Sequence, residues 1–309
     1  MRRLFRWRSL VLALLIAALL GGPACLGEEA VSYVENQWNY VDESMDISGG
    51  IPETVEEGAL ARIREAGVLR VATEPYYPPQ EFIDPDFTGQ EMYQGADMEM
   101  ARLIAQKMGV ALEIVPMEFT EVLNAVRDGA CDLAISGLSF TPARAAMVEM
   151  SKGYNYTAEN AGSALLIREA DLEVIASVND LAGRDIVAQS GSLQETLLAE
   201  NVVNYHEFRR LATILEIYEA VRSGDADAAM VDVESAQGYI DSNPDCGLTL
   251  VPNVRFQLEE QFDGDRVAGK KGELALMYFV NGVIDELLAT GQYREWFDYY
   301  EARVAELGL

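Results

Sequence analysis

The sequence predicts an α/β protein built as two similar lobes, and three features of the chain lead there. Helices and strands alternate from about residue 59, and the alternation restarts near residue 161. One phrase of helix, glycine and strand also occurs twice, as LNAVRDGACDLAISG and YEAVRSGDADAAMVD. Both copies read x-A-V-R-x-G-x-x-D-x-A. Strand–helix alternation is the pattern of a mostly parallel sheet with helices packed on its faces. Ligands of such open sheets sit at the carboxyl ends of the strands, so two lobes facing one another make a cleft.

The elements follow in order. ETVEEGALARIREAGV reads as a helix with Gly67 as its C-terminal cap, and LRVAT (69–73) as a short apolar strand. EPYYPPQEFIDP is a loop dense in proline and aromatics. A helix is expected from about Asp97 to Met108, ended by Gly109. ALEIVPM is a strand, TEVLNAVRDG a helix ended by Gly129, and CDLAISG a strand. After the restart, SALLIR (163–168) is a strand, SVNDLAG a helical turn and RDIVAQSG a strand. SLQETLLAENV is a helix with a capping box, Ser192 reaching forward and Glu195 back. TILEIYEAVRSGD is a helix, ADAAMVD a strand, VESAQGYIDSN a helix and LTLVP a strand. The tail from Gly272 is almost all helix.

The first 24 residues stand apart from the fold. MRRLFRWRSL is basic, VLALLIAALL is an apolar run, and GGPAC follows. This is the layout of a secretory signal, and the apolar run is short for a membrane span. Cys25 resembles the acceptor of a bacterial lipobox, although Pro23 stands where a small or β-branched residue is usual. Residues 25–58 then read as a lipid anchor and acidic tether, the alternative being ordinary cleavage near Cys25. The tether follows from 26–58, which hold nine acids and no Lys or Arg. Removing residues 1–24 takes the net charge from −28 to −32, since they carry four arginines and no acid. Such a chain lacks the clustered cations that nucleic-acid binding requires. Cys131 and Cys246 lie far apart and indicate no disulfide framework. No His/Cys cluster points to a metal, no cofactor motif is present, and the single histidine, His206, sits in a polar connecting stretch, NYHEFRR.

One stretch carries chemistry on its own terms. ISGLSFTPARAAM ends a strand at Gly137 and Ser139, caps a helix with Thr141, starts it at Pro142 and places Arg144 in its first turn. Free N–H groups and a guanidinium fork together suit a carboxylate. The alternative is a capped helix with a surface arginine. Asp232, at the end of AAMVD, is either a cleft acid or a solvent-exposed strand end.

Several ordered motifs then resemble one family. LRVATEPYYPP, GADMEMARLIAQKMG, FTEVLNAVRDGACDLAISGLSFTPARAAMVEMSKGY, LAGRDIVAQSGSLQE, AVRSGDADAAMVD and VNGVIDELLATGQYREWF are similar to extracytoplasmic solute-binding proteins for polar amino acids, over residues 59–302. The resemblance implies a two-lobed, type II periplasmic-binding-protein-like fold with a hinge between its α/β lobes. Lobe one would hold 59–160 and the return segment 257–309, and lobe two 161–256. It implies a monomer that takes an amino acid between its lobes and passes it to the permease of an ABC transporter, touching the membrane only through its lipid anchor. It also implies residue roles. Arg144 grips the α-carboxylate, Gly137 and Ser139 contact the backbone-like groups, and Asp232 takes the α-ammonium. Ser192 meets the carboxylate, Gln189 and Gln194 stand near it or the side chain, and Glu74 and Tyr77 line the side-chain pocket. Ala96, Ala143 and Gln80 depart from the family pattern, where an aromatic, an acid and Phe are common. Gln80 lies near the pocket and so weakens any transfer of ligand identity.

Two other readings follow from the same fold. A secreted cyclohexadienyl dehydratase shares it, and such an enzyme needs a general acid for which Glu74 is the candidate; Glu74 otherwise pairs a ligand cation or caps its loop. A ligand-sensing subunit is the third reading.

Overall fold

The computed structural model describes residues 57–156, 162–257 and 262–309. The signal segment, Cys25 and nearly all of the acidic tether lie outside the described residues.

The first lobe begins with α1 (Gly58–Ala66), which Gly67 ends in the left-handed conformation that lets the last turn close. β1 (Val68–Thr73) follows. The proline-rich loop is more ordered than its composition suggests, for it supplies β2 (Tyr76–Tyr77) and β3 (Glu81–Ile83), which form a short antiparallel sheet with β4 (Tyr93–Gln94) beyond it. Then come α2 (Ala96–Met108), β5 (Ala111–Pro116), α3 (Phe119–Asp128), β6 (Leu133–Ser139), α4 (Pro142–Met147) and β7 (Val148–Met150).

The second lobe contains β8 (Ser163–Arg168), β9 (Asp185–Gln189), α5 (Leu193–Asn201), β10 (Glu207–Leu211), α6 (Ile214–Ser223), β11 (Ala228–Asp232), α7 (Val233–Ser242) and β12 (Leu248–Leu250). The chain then returns through β13 (Asp265–Lys270), α8 (Leu274–Thr290) and α9 (Gln292–Leu307).

Each lobe has one five-stranded sheet, in the orders β5-β1-β6-β13-β7 and β10-β9-β11-β8-β12. The expectation of mostly parallel sheets needs correction, because each sheet is half antiparallel. β1 runs parallel to β5 and β6, and β9 parallel to β10 and β11. β13 lies antiparallel to β6 and β7, and β8 antiparallel to β11 and β12. The cause is connectivity. Helical crossovers enforce parallel pairing only between strands they join. β8 and β13 arrive from the opposite lobe, and no crossover helix sets their direction. β13 enters beside the carboxyl end of β6, with Asp265 opposite Ser139. Its helices α8 and α9 complete the first lobe's main core, where Leu276, Val280, Ile284 and Phe297 pack with Leu60, Ile63, Ile104 and Leu133.

NYHEFRR also needs correction: it supplies edge strand β10. Phe208 and Leu211 of that strand pack on the core, while Arg209 and Arg210 pair with acids at the rim, so the stretch looks polar. Charged side chains on an edge strand guard its unpaired face. His206 stays on the surface, bonded to Asp185 at 2.6 Å.

The two crossing segments pair at both ends, Tyr154 with Asp265 and Ser163 with Phe256. Gly264 and Gly162 there have φ of +80° and +103°, and a Cβ at either would strike the carbonyl of Tyr154 or Phe256 at 2.7 or 2.4 Å. Only glycine fits such a close approach.

Candidate functional site

The carboxyl end of β6 builds one half of the site. Gly137 has φ +51°, and a Cβ there would lie 2.9 Å from the Tyr77 ring. Its N–H donates to Asp97 Oδ2 at 3.1 Å. Thr141 Oγ1 caps α4 by accepting from the Arg144 N–H at 3.1 Å. That cap sends the Arg144 side chain back toward the strand end, where Nη1 donates to the Ser139 carbonyl at 2.8 Å. Nη2 reaches the second lobe and donates to the Gly191 carbonyl at 3.1 Å. The guanidinium also stands 5.5 Å from the centre of the Phe119 ring. Arg144 is only 8 % exposed, so it is no surface arginine. Among the described residues no carboxylate lies within ion-pair distance of it. Burial lowers its pKa to about 10, against the pull of Asp265. A buried guanidinium with carbonyl partners but no acid retains donors and charge for an anion.

The second lobe supplies the facing half. Ser192 caps α5, accepting from the Glu195 N–H at 3.0 Å, and its hydroxyl donates to the Gln189 carbonyl at 2.7 Å. The expected capping box is half formed: Glu195 reaches back to the Gly191 N–H at 2.7 Å, one residue before the cap. The Ser192 hydroxyl proton is therefore committed to the turn. Gln189 donates to the Ala212 carbonyl at 3.1 Å. Gln194 points to the Ser163 hydroxyl at 3.2 Å, toward the crossing strand. Asp232 caps α7, accepting from the Ser235 N–H at 2.9 Å. It is half-buried, yet crowding by protein raises its carboxyl to about 6, with the Ser235 N–H opposing and Glu234 adding to the rise. Nearby Tyr77 also pulls it down.

Glu74 and Tyr77 lie where the first lobe meets the second. Tyr77 packs against second-lobe core residues around Tyr218. Glu74 is buried, its N–H donating to Ser136 Oγ at 3.0 Å. Its carboxyl is raised to about 7 by burial, with the Tyr76 N–H and Gln189 opposing. Glu74 Oε1, Thr73 Oγ1 and Gln80 Oε1 are buried oxygens without a hydrogen-bond partner among the described residues. Buried polar atoms are ordinarily satisfied, so such oxygens call for a donor.

The structure thus brings Glu74, Tyr77, Gly137, Ser139, Arg144, Gln189, Ser192 and Asp232 to the facing ends of the lobes, and Gln194 bonds Ser163, the residue opposite Asp232 on β8. Sequence reasoning missed Phe119, Asp265 and Asp97. Asp97 had a signal, an acid two residues after Gly95 at a helix start. Phe119 and Asp265 had none, because their places beside Arg144 and Ser139 depend on how elements distant in sequence dock within the first lobe.

The family model for bacterial extracellular solute-binding proteins, family 3, matches residues 69–302. The chain belongs to that family. Its fold is the family's two-lobed, type II periplasmic-binding-protein-like fold. Among relatives, the arginine-binding extracellular protein ArtP of Bacillus subtilis is 29 % identical over 190 residues, 61 % of this chain and 70 % of ArtP. The cyclohexadienyl dehydratase of Pseudomonas aeruginosa is 27 % identical over 182 residues, covering 59 % and 65 %. Among solved structures, the amino acid ABC transporter substrate-binding protein AbpA of Streptococcus pneumoniae, bound to L-arginine, superposes with TM-score 0.69 at 32 % identity. That match covers 78 % of this chain and 98 % of AbpA. The family therefore includes both binding proteins and enzymes.

Proposed function

We propose that this solute-binding protein takes a cationic amino acid, arginine foremost, between its lobes and delivers it to an ABC importer. One observation carries the reading: among the described residues Arg144 is a buried cation with no acid within ion-pair distance, and Glu74 and Asp232, on the same facing ends of the lobes, are a buried and a half-buried acid with no cation within that distance. A zwitterion with a cationic side chain complements this set. Its α-carboxylate meets Arg144, its α-ammonium meets Asp232 and its side chain meets Glu74. Gly137, Ser139, Gln189 and Ser192 shape the two turns around it. Each charge-assisted bond formed away from water contributes roughly 1.5–3 kcal/mol. A ligand held by both lobes favours the closed arrangement, because only that arrangement satisfies both of its ends. The arginine named in ArtP and AbpA agrees with this chemistry.

The lobe bounds of 59–160 with 257–309, and 161–256, belong to the same reading, as do the exported location, the anchor at Cys25 and a monomeric state. Thermal unfolding against the standard amino acids tests the ligand, since a ligand of the native state raises stability by RT ln(1 + [L]/Kd). Arginine should give the largest rise. No rise with any amino acid would sink the reading.

Glu74 favours a second reading. A carboxyl raised to about 7 keeps a proton near neutral pH, as the general acid of a dehydratase must. Incubation with prephenate or arogenate separates the two: consumption of either supports chemistry, and intact substrate supports transport.

A further inference from the structure

Behind the Gly137 turn lies a pair of carboxyls that the ligand reading does not use. Ser136 and Gly137 are neighbours on β6, and each sends one donor to an acid. Ser136 Oγ donates to Glu81 Oε1 at 3.0 Å, and the Gly137 N–H donates to Asp97 Oδ2 at 3.1 Å. Asp97 also accepts from Tyr154 O–H at 3.0 Å and Tyr293 O–H at 2.7 Å. Asp97 thereby ties α2 to the ligand turn, to the crossing segment and to α9. Glu81 Oε2, by contrast, is buried and receives no donor. Both residues are fully buried, and no Lys or Arg among the described residues lies within ion-pair distance of either.

The Asp97 N–H donates to the carbonyl of Gln80, the residue before Glu81, at 2.9 Å, so the two carboxyls lie close together. Two bare charges there, away from water, are not sustainable, and one carboxyl keeps a proton. Asp97, with three donors, is the one stabilised as an anion. Glu81, with one donor from Ser136, takes the proton.

We propose that Glu81 is a positioning residue: as a neutral carboxylic acid it donates its proton to Asp97 and so fixes the Gly137 turn that holds the ligand. Burial, Asp97 and Glu74 all push Glu81 well above the usual carboxylate range, and only Ser136 opposes them before a further push from Asp265. The other titratable groups that feel its charge are the phenols of Tyr77, Tyr154 and Tyr293, which offer no cation either.

The role in binding rests on the reading of Gly137 as a ligand turn, whereas the proton does not, and the test separates them. Glu81→Gln keeps a neutral group with a donor for Asp97. Glu81→Ala removes the donor, and Glu81→Leu replaces it should the alanine variant not fold. By calorimetry with arginine, Glu81→Gln is expected within about threefold of wild type, and the donor-free variant at least about tenfold weaker. Thermal unfolding without ligand reads the proton. A carboxyl raised in the folded state makes stability fall as pH climbs from its unfolded value, about 4.3. Glutamine has no such loss, so the melting temperature of Glu81→Gln should gain on wild type from pH 5 to 8. A difference independent of pH overturns the proton, and wild-type affinity in the donor-free variant overturns the positioning role. If wild type binds no arginine, the ligand reading fails and the unfolding arm alone decides the proton.

Discussion

The two copies of the repeated phrase do the same work at one end and opposite work at the other. In the first lobe, Asp132 follows α3 and clamps the start of β1: its N–H donates to the Arg70 carbonyl and its carboxylate accepts from the Arg70 N–H, both at 2.9 Å. In the second lobe, Asp227 follows α6 and clamps the start of β9 through the same two bonds to Asp185, at 2.7 and 3.0 Å. Gly129 and Gly224 end the preceding helices with φ of +79° and +82°. The strands then diverge. β6 ends in a turn that buries a cation, and β11 ends in an acid that caps a helix. Repetition builds the scaffold, and departure from it at the carboxyl ends makes the lobes electrically complementary.

The strongest way to break that complementarity is at Arg144. Arg144→Ala leaves a ligand carboxylate facing no cation, and should cost about 2–5 kcal/mol, some 30-fold to several thousand-fold in Kd. Arg144→Lys should recover part of it, since a point charge lacks the fork. Calorimetry with arginine decides; a loss under about threefold would make Arg144 a scaffold residue only.

The matching change in the second lobe is next. Asp232→Asn should weaken arginine by about 1.5–3 kcal/mol, while sparing 5-guanidinopentanoate, which lacks the α-amino group. Equal losses for both ligands would remove Asp232 from the ammonium site.

Glu74 sharpens the comparison through pH. Its carboxyl titrates near about 7 in the fold, so it is half protonated there and ionised above. Arginine affinity should therefore rise between pH 6 and 8, and Glu74→Gln should flatten the rise while weakening binding at pH 8 by about 1–2 kcal/mol. Unliganded stability carries the opposite sign: a raised acid loses stability as pH climbs from its unfolded value through about 7.

The smallest expected effects separate the clamps. Asp132→Asn should cost about 1 kcal/mol, as one charge-assisted bond to Arg70 is weakened. Asp227→Asn should cost somewhat more, because Asp227 also faces Arg168 and Arg184 at 3.4 Å, a part-exposed pairing of about 0.5 kcal/mol. Urea unfolding of the two variants gives the order.

Most of the scaffold was legible because its signals are local. Helix ends carry glycine caps, strands carry apolar runs, and the repeated phrase marks two matching units. Arg144 was legible too, since Thr141 and Pro142 start the helix that aims it. β10 and β13 were not. EFRRL sets its two core-packed residues, Phe208 and Leu211, around two arginines, and DRVAGK has no apolar run, for its burial comes from neighbours delivered by a distant part of the chain. The Glu81–Asp97 pair was hidden for the same reason: residues 16 apart in sequence meet only after β3 and α2 are both docked against β6.

The place of β13 also sets a timetable. A chain that emerges from its amino end can pair every strand of the second sheet once Leu250 is out. The first sheet must wait, because β6 keeps one open edge and β7 has no partner until residues 265–270 arrive. The earlier-made half is thus the last to be finished. During that interval its bare strand edges are the surface most open to mispairing, and the stretch of transit most in need of a chaperone.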